Sequence, residues 1–154
     1  MPAVREILIG HRAGDHVVLA VRGRLFPEGD DPDWLWTSLT VRIGGFGCQL
    51  EGDVRAAELR RFRTGLEELH DRSATEATLS TEDDWLSLEL VSAADAIGVA
   101  LRVHDQAAPP NELRGRLDGL SRDSLVTAIE TLHEVDRAYP SGEKPVDGGD
   151  GRRR

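Results

Sequence analysis

Five histidines, one cysteine and a glycine-rich turn are the residues from which catalysis in this sequence would have to be built. His11, His16, His70, His104 and His133 are scattered, with no HExxH or HxH pair to put two imidazoles on one metal ion. Cys48 is the single cysteine, which excludes an internal disulfide and a cysteine-based zinc site. It falls on the apolar side of a strand-like run, where a thiol is buried and inert. No GxSxG elbow is present. Gly44-Gly45-Phe46-Gly47 lacks the Lys-Ser/Thr of a phosphate loop and joins two strands instead of opening a helix, so it predicts a hairpin turn. An enzyme would have to draw on Glu89, Arg102 and His104, the least bland titratable side chains on predicted strands. The pattern predicts no enzyme, no metal site and no cofactor.

Recognition chemistry is better represented. The 154 residues carry a formal net charge of −9. A general nucleic-acid binder needs a basic patch for phosphates, and the basic C-terminal Arg152-Arg153-Arg154 ends a glycine-rich tail and does not outweigh the acidic balance. The charge clusters are acidic: Glu28-Gly29-Asp30-Asp31-Pro32-Asp33 and Glu82-Asp83-Asp84. They favour a basic partner. Trp34, Trp36 and Trp85 fall on the less apolar side of their predicted strands, the side that also carries Arg102 and His104. Trp and Arg dominate interface hot spots. The candidate partner-binding set is therefore Trp34, Trp36 and Trp85 as anchors, Glu28, Asp30, Asp31 and Asp33 as steering charges, and Arg102 and His104 on the same mixed surface. A second reading has this surface line a small-ligand cavity closed by helices.

The elements that must position these residues follow from periodicity. Residues 4–10 and 16–26 read as a strand pair around Arg12-Ala13-Gly14-Asp15. In 34–43, Leu35, Thr37, Leu39, Val41 and Ile43 point one way, and Trp34, Trp36, Ser38, Thr40 and Arg42 the other. A shorter strand follows, with Phe46, Cys48 and Leu50 on one side. Leu59, Phe62, Leu66 and Leu69 then recur at helical spacing over 55–72, with Asp53 as the cap. Further alternating runs surround Leu79, Leu86 to Leu90, Ile97 to Val103, and Leu113 to Leu117. A last helix over 122–138 is capped by Ser121 and ended by Pro140. The expected class is α+β, predominantly an antiparallel sheet or sandwich of about eight strands with two helices, in the order ββββαββββα. Residues 1–140 are expected to form a single domain, and 141–154, glycine-rich and nearly free of apolar groups, a disordered tail. Met1 to Gly10 lacks the progression of a signal peptide, and apolar runs such as Val17 to Val21 fall short of the ~20 residues of a membrane span. With a lone cysteine, a cytoplasmic protein is expected.

Asp31-Pro32-Asp33-Trp34-Leu35 entering a strand, the Gly-Phe-Gly-Cys hairpin within Val41 to Glu51, the helix from Glu58-Leu59 to Leu69, Trp85-Leu86-Ser87-Leu88, and Arg116 to Leu120 ahead of the closing helix together resemble the WapI-type immunity proteins of actinobacteria. The resemblance spans about residues 15–136. It implies a protein that binds and blocks a bacterial toxin by occlusion. On this reading the partner is a protein, a basic toxin domain, with no nucleic acid and no membrane involved. The motif positions are structural, so no toxin-contacting residue follows from the likeness.

Overall fold

Two sheets form, each a simple meander. The structure, a computed structural model, describes residues 3–140. β1 (Arg5–Gly10), β2 (His16–Arg24), β3 (Trp34–Ile43) and β4 (Phe46–Arg55) make one antiparallel sheet in chain order. α1 (Ala56–His70) follows. β5 (Glu76–Ser80), β6 (Leu86–Ala93), β7 (Ala96–His104) and β8 (Glu112–Leu120) make the second sheet, again in chain order. A 3-10 turn at Arg122–Ser124 then leads into α2 (Leu125–Ala138). The α+β class and the order ββββαββββα are those expected from the sequence, and the arrangement is two sheets. The tail over 141–154 lies outside the described residues.

Strand β3 shows why the chain folds this way. Its alternation buries Leu35, Thr37, Leu39 and Val41, while Trp36 and Arg42 stay exposed. The tight turn at Gly44, where φ is +60°, sets the β3–β4 register without a bulge. Trp34 is therefore opposite Arg55, Trp36 opposite Asp53, and Ser38 opposite Glu51. Strand β4 runs longer than its apolar pattern suggests. Asp53 lies inside it, and α1 begins at Ala56 rather than beside Asp53. The orphan amides at the helix start are satisfied from elsewhere. The Asp33 carbonyl accepts from Ala56 N at 2.8 Å, the Asp33 carboxylate accepts from Ala57 N at 3.4 Å, and Glu58 Oε1 accepts from Arg55 N at 2.8 Å. The expected apolar stripe of Leu59, Phe62, Leu66 and Leu69 is fully buried. Ser121 Oγ accepts from Ser124 N at 3.2 Å, capping the 3-10 turn ahead of α2.

The two halves interlock. Helix α1 packs along β5 of the second sheet, and α2 along β1 of the first. Gly65 of α1 lies so near β5 that a Cβ there would come within 3.2 Å of the Ala77 Cβ. The helices also pack on each other, where His133 Nε2 and Glu67 Oε2 lie 2.8 Å apart and Arg63 Nη1 stands 3.0 Å from His133 Nδ1. The inner faces of both sheets and the helix stripes share one core, from Ile7 and Leu39 through Leu88 and Val99 to Leu132.

Candidate protein-binding surface

Arg55 organises the outer face of the first sheet. Its cross-strand neighbour is Trp34, and its guanidinium lies 4.2 Å from the centroid of that indole. Nη1 and Nη2 donate to the two carboxylate oxygens of Asp31 at 3.3 and 3.0 Å, the bidentate geometry that arginine suits. Nε donates to Glu82 Oε1 at 2.8 Å, and Nη1 stands 3.7 Å from Asp33 Oδ2. One cation thus draws together both acidic clusters, although they lie far apart in sequence. The hydrogen bond from Arg55 holds the Asp31 carboxyl below its usual range. In return Asp31, and then Glu82, make Arg55 harder to deprotonate than an ordinary arginine.

Beyond Arg55 the same face turns acidic and aromatic. Trp36 is 42% exposed. Its Nε1 donates to Glu51 Oε1 at 3.4 Å, and the Arg22 guanidinium lies 5.9 Å from its ring centroid. Opposite it, the Asp53 carboxyl is pushed up by partial burial and then by the negative charge of Asp83. Glu28 and Asp30 are exposed in the loop leading to Asp31. This arrangement can dock a cationic surface: one exposed indole, with carboxylates from three segments around it.

Several expected members stand elsewhere. Trp85 is only 7% exposed, so the expectation that it shares the exposed face is corrected. It precedes β6 and follows Asp84, whose φ is +59°, so the alternation of β6 does not set its direction. Its indole instead lies against Gly52, and its Nε1 donates to the Asp53 carbonyl at 3.0 Å. Asp33 is 3% exposed and holds the start of α1, so it is no surface steering charge. Arg102 and His104 lie in the second sheet, and the single mixed surface expected from their strands does not form. The reason is that α1 ends the first meander, so alike strands of the two halves never pair. Arg102 donates to Asp84 Oδ1 at 2.9 Å. With Glu89, Arg114 and Arg116 it lines an open depression of about 450 Å³. His104 Nδ1 stands 3.3 Å from the Asp105 carbonyl oxygen and does not line that depression.

The molecule therefore has two distinct sheet faces, one carrying the exposed Trp36 among Glu51, Asp53, Arg22, Arg42 and Arg55, the other carrying Arg102, Arg114 and Arg116 with Glu89. Arg55 and Glu51 belong to the first face and were not singled out from the sequence. Their signal was present in the hairpin: equal steps back from Gly44-Gly45 reach Trp34 on one strand and Arg55 on the other.

The open depressions over the two faces, about 370 and 450 Å³, are lined by no helix residue, unlike the helix-closed cavity of the small-ligand reading. Among the described residues, no group of three or more His, Cys, Asp or Glu is arranged to hold a metal ion, and no helix is long and apolar enough to cross a membrane. The family model described as the Immunity protein WapI-like family matches residues 7–140. No curated protein and no solved structure matches the chain.

Proposed function

The chain belongs to the WapI-like immunity protein family, whose model spans residues 7–140, and we propose that it neutralises a toxin by covering it with the outer face of the first sheet. The reading is of a non-enzymatic binding protein acting in the cytoplasm of the cell it protects. The partner is a protein domain with a basic surface. Trp36 is the central anchor and Trp34, held under Arg55, its support. Glu28, Asp30, Glu51, Asp53 and Asp83 supply the attraction.

The observation that carries this reading is the exposed Trp36 indole, set between Glu51 and Asp53 on the outer strand surface. A large aromatic left in solvent amid carboxylates contributes little to folding, and it is the residue type that supplies most interface energy. The test is co-expression with the products of the adjacent genes, any that is toxic alone serving as the toxin. The wild-type chain restores growth and binds the purified toxin domain, and Trp36→Ala loses both. If the wild-type chain neither binds the toxin nor rescues growth, the reading is wrong.

A further inference from the structure

Four strands terminate the two sheets, and their surroundings differ. Edges β1 and β5 are lined by α2 and α1. Edge β8, and edge β4 up to Glu51 where Trp85 begins to cover it, have no such cover among the described residues, and they flank one apolar cleft of about 150 Å³ that holds Cys48, Leu50, Val103 and Leu113. Phe46, at the start of β4, is 73% exposed. Uncovered edges beside an apolar cleft invite a further strand.

The backbone direction of each edge can be read. The Asp53 carbonyl points away from β3, since Trp85 reaches it from outside the sheet. By the antiparallel alternation, Gln49 and Glu51 turn their amides and carbonyls to the same open side. On the other sheet the Asn111 carbonyl accepts from Asp105 N, on the β7 side, so Glu112, Arg114 and Arg116 turn theirs outward. In both edges, then, the residues with free backbone groups are those whose side chains face solvent. Opposite charges are available across them, Glu51 on β4 against Arg114 and Arg116 on β8, where Arg114 is paired with the outward Glu112 and Arg116 with Asp118 of the same strand. The inward residues of both edges are apolar or glycine. Gly115 sits against Ile43, which is level with Phe46, while Leu113 lies by Cys48 and Leu50, so β8 runs against the direction of β4.

We propose that β4 of one copy pairs with β8 of a second copy, and β8 with β4 in return, giving a closed twofold dimer. A twofold axis along the strands exchanges the two sheet layers and preserves strand direction, so both junctions are antiparallel and each sheet continues from four strands to eight. Outward side chains meet outward ones, carboxylate against guanidinium, and apolar side chains line a cleft closed by both copies. A β4–β4 junction would set Glu51 and its acidic neighbours against their own copies, which disfavours that alternative. This proposal is independent of the toxin-binding reading.

The experiment is sedimentation of the purified chain from micromolar to millimolar concentration, with amide hydrogen exchange measured across the same range. The expected result is a monomer–dimer equilibrium in which the amides of Gln49, Glu51, Arg114 and Arg116 gain protection as the dimer forms. Glu51→Arg or Arg114→Glu alone weakens the dimer about tenfold or more, and combining them recovers part of the loss. Circular dichroism confirms that each variant is folded. A monomer at every concentration overturns the proposal, as does a dimer whose β4 and β8 amides stay unprotected, or an open-ended polymer.

Discussion

The Trp85 indole closes over Gly52, so near that a Cβ on the glycine would stand 2.4 Å from two ring carbons. Its Nε1 at the same time takes the Asp53 carbonyl at 3.0 Å. A loop of the second half is thereby locked onto β4 of the first. Gly52→Ala should destabilise the protein by about 1–3 kcal/mol through overpacking, and Trp85→Ala by about 3–5 kcal/mol through lost burial. Urea denaturation followed by circular dichroism reads both. A Gly52→Ala midpoint equal to wild type would show that the ring has room to move.

Asp33 caps a helix that it does not precede directly in sequence. Asp33→Ala removes the carboxylate facing Ala57 N, and a cost of about 1 kcal/mol is expected, as for other lost N-caps. Asp33→Asn keeps an acceptor and should cost less. The two variants are ranked by thermal unfolding.

Arg55 joins Asp31, Glu82 and the Trp34 ring. Arg55→Lys keeps the charge but loses the bidentate fork and much of the stacking, so it should resemble Arg55→Ala rather than wild type. A loss of about 1–2 kcal/mol is expected for either, since each partner alone contributes little at a surface. Trp34 emission should shift to the red in both variants, and an unchanged spectrum would count against the stacking.

Glu58 is 6% exposed, and burial pushes its carboxyl above the ordinary value of 4.5. The folded state therefore favours its protonated form. That contribution to stability is fully present below pH 4.5 and is lost as pH rises through the higher folded value. Glu58→Gln should accordingly be more stable than wild type at neutral pH, with the gap closing as pH falls through the raised folded value towards 4.5. Asp31 and Asp84 act in the opposite sense. Their carboxyls are held down by Arg55 and Arg102, so what they add is present at neutral pH and is lost as pH falls through their lowered values. Denaturation of both proteins across pH 3 to 8, roughly the range over which carboxylates titrate, isolates the Glu58 contribution. A gap that widens on acidification would reverse the assignment.

Trp36→Ala should leave stability within about 0.5 kcal/mol of wild type, because the residue is a surface side chain, 42% exposed on the outer face. Its expected effect is on toxin binding alone. Reversing Glu28 and Asp30 should slow association more than it speeds dissociation, with a weaker salt dependence than wild type. Stopped-flow binding at two ionic strengths separates these effects.

Much of the fold was legible because alternation and helical spacing are local. Leu35 to Val41 and Leu59 to Leu69 point inward in the structure as their periods require. Placement between elements was less legible. A period of two tells which side a residue takes, but not which sheet its strand joins, and so Arg102 and His104 were set beside Trp34. Trp85 was misplaced because one left-handed residue, Asp84, breaks the alternation just before it. Asp53 passed for a helix cap because the polar end of β4 has the composition of a helix start. The capping carboxylate came instead from Asp33, across the β3–β4 pair, a contact that no local spacing encodes.

The crossed helices bear on how the chain is made. Strand β1 leaves the ribosome before the other described elements, but the helix that lines its edge, α2, is the last of them to emerge. The first sheet can pair its own strands during synthesis, yet it waits with one flank bare until residues 125–138 are free. Closure is therefore necessarily late, and the nascent chain is most prone to wrong strand pairing in the interval before α2 arrives.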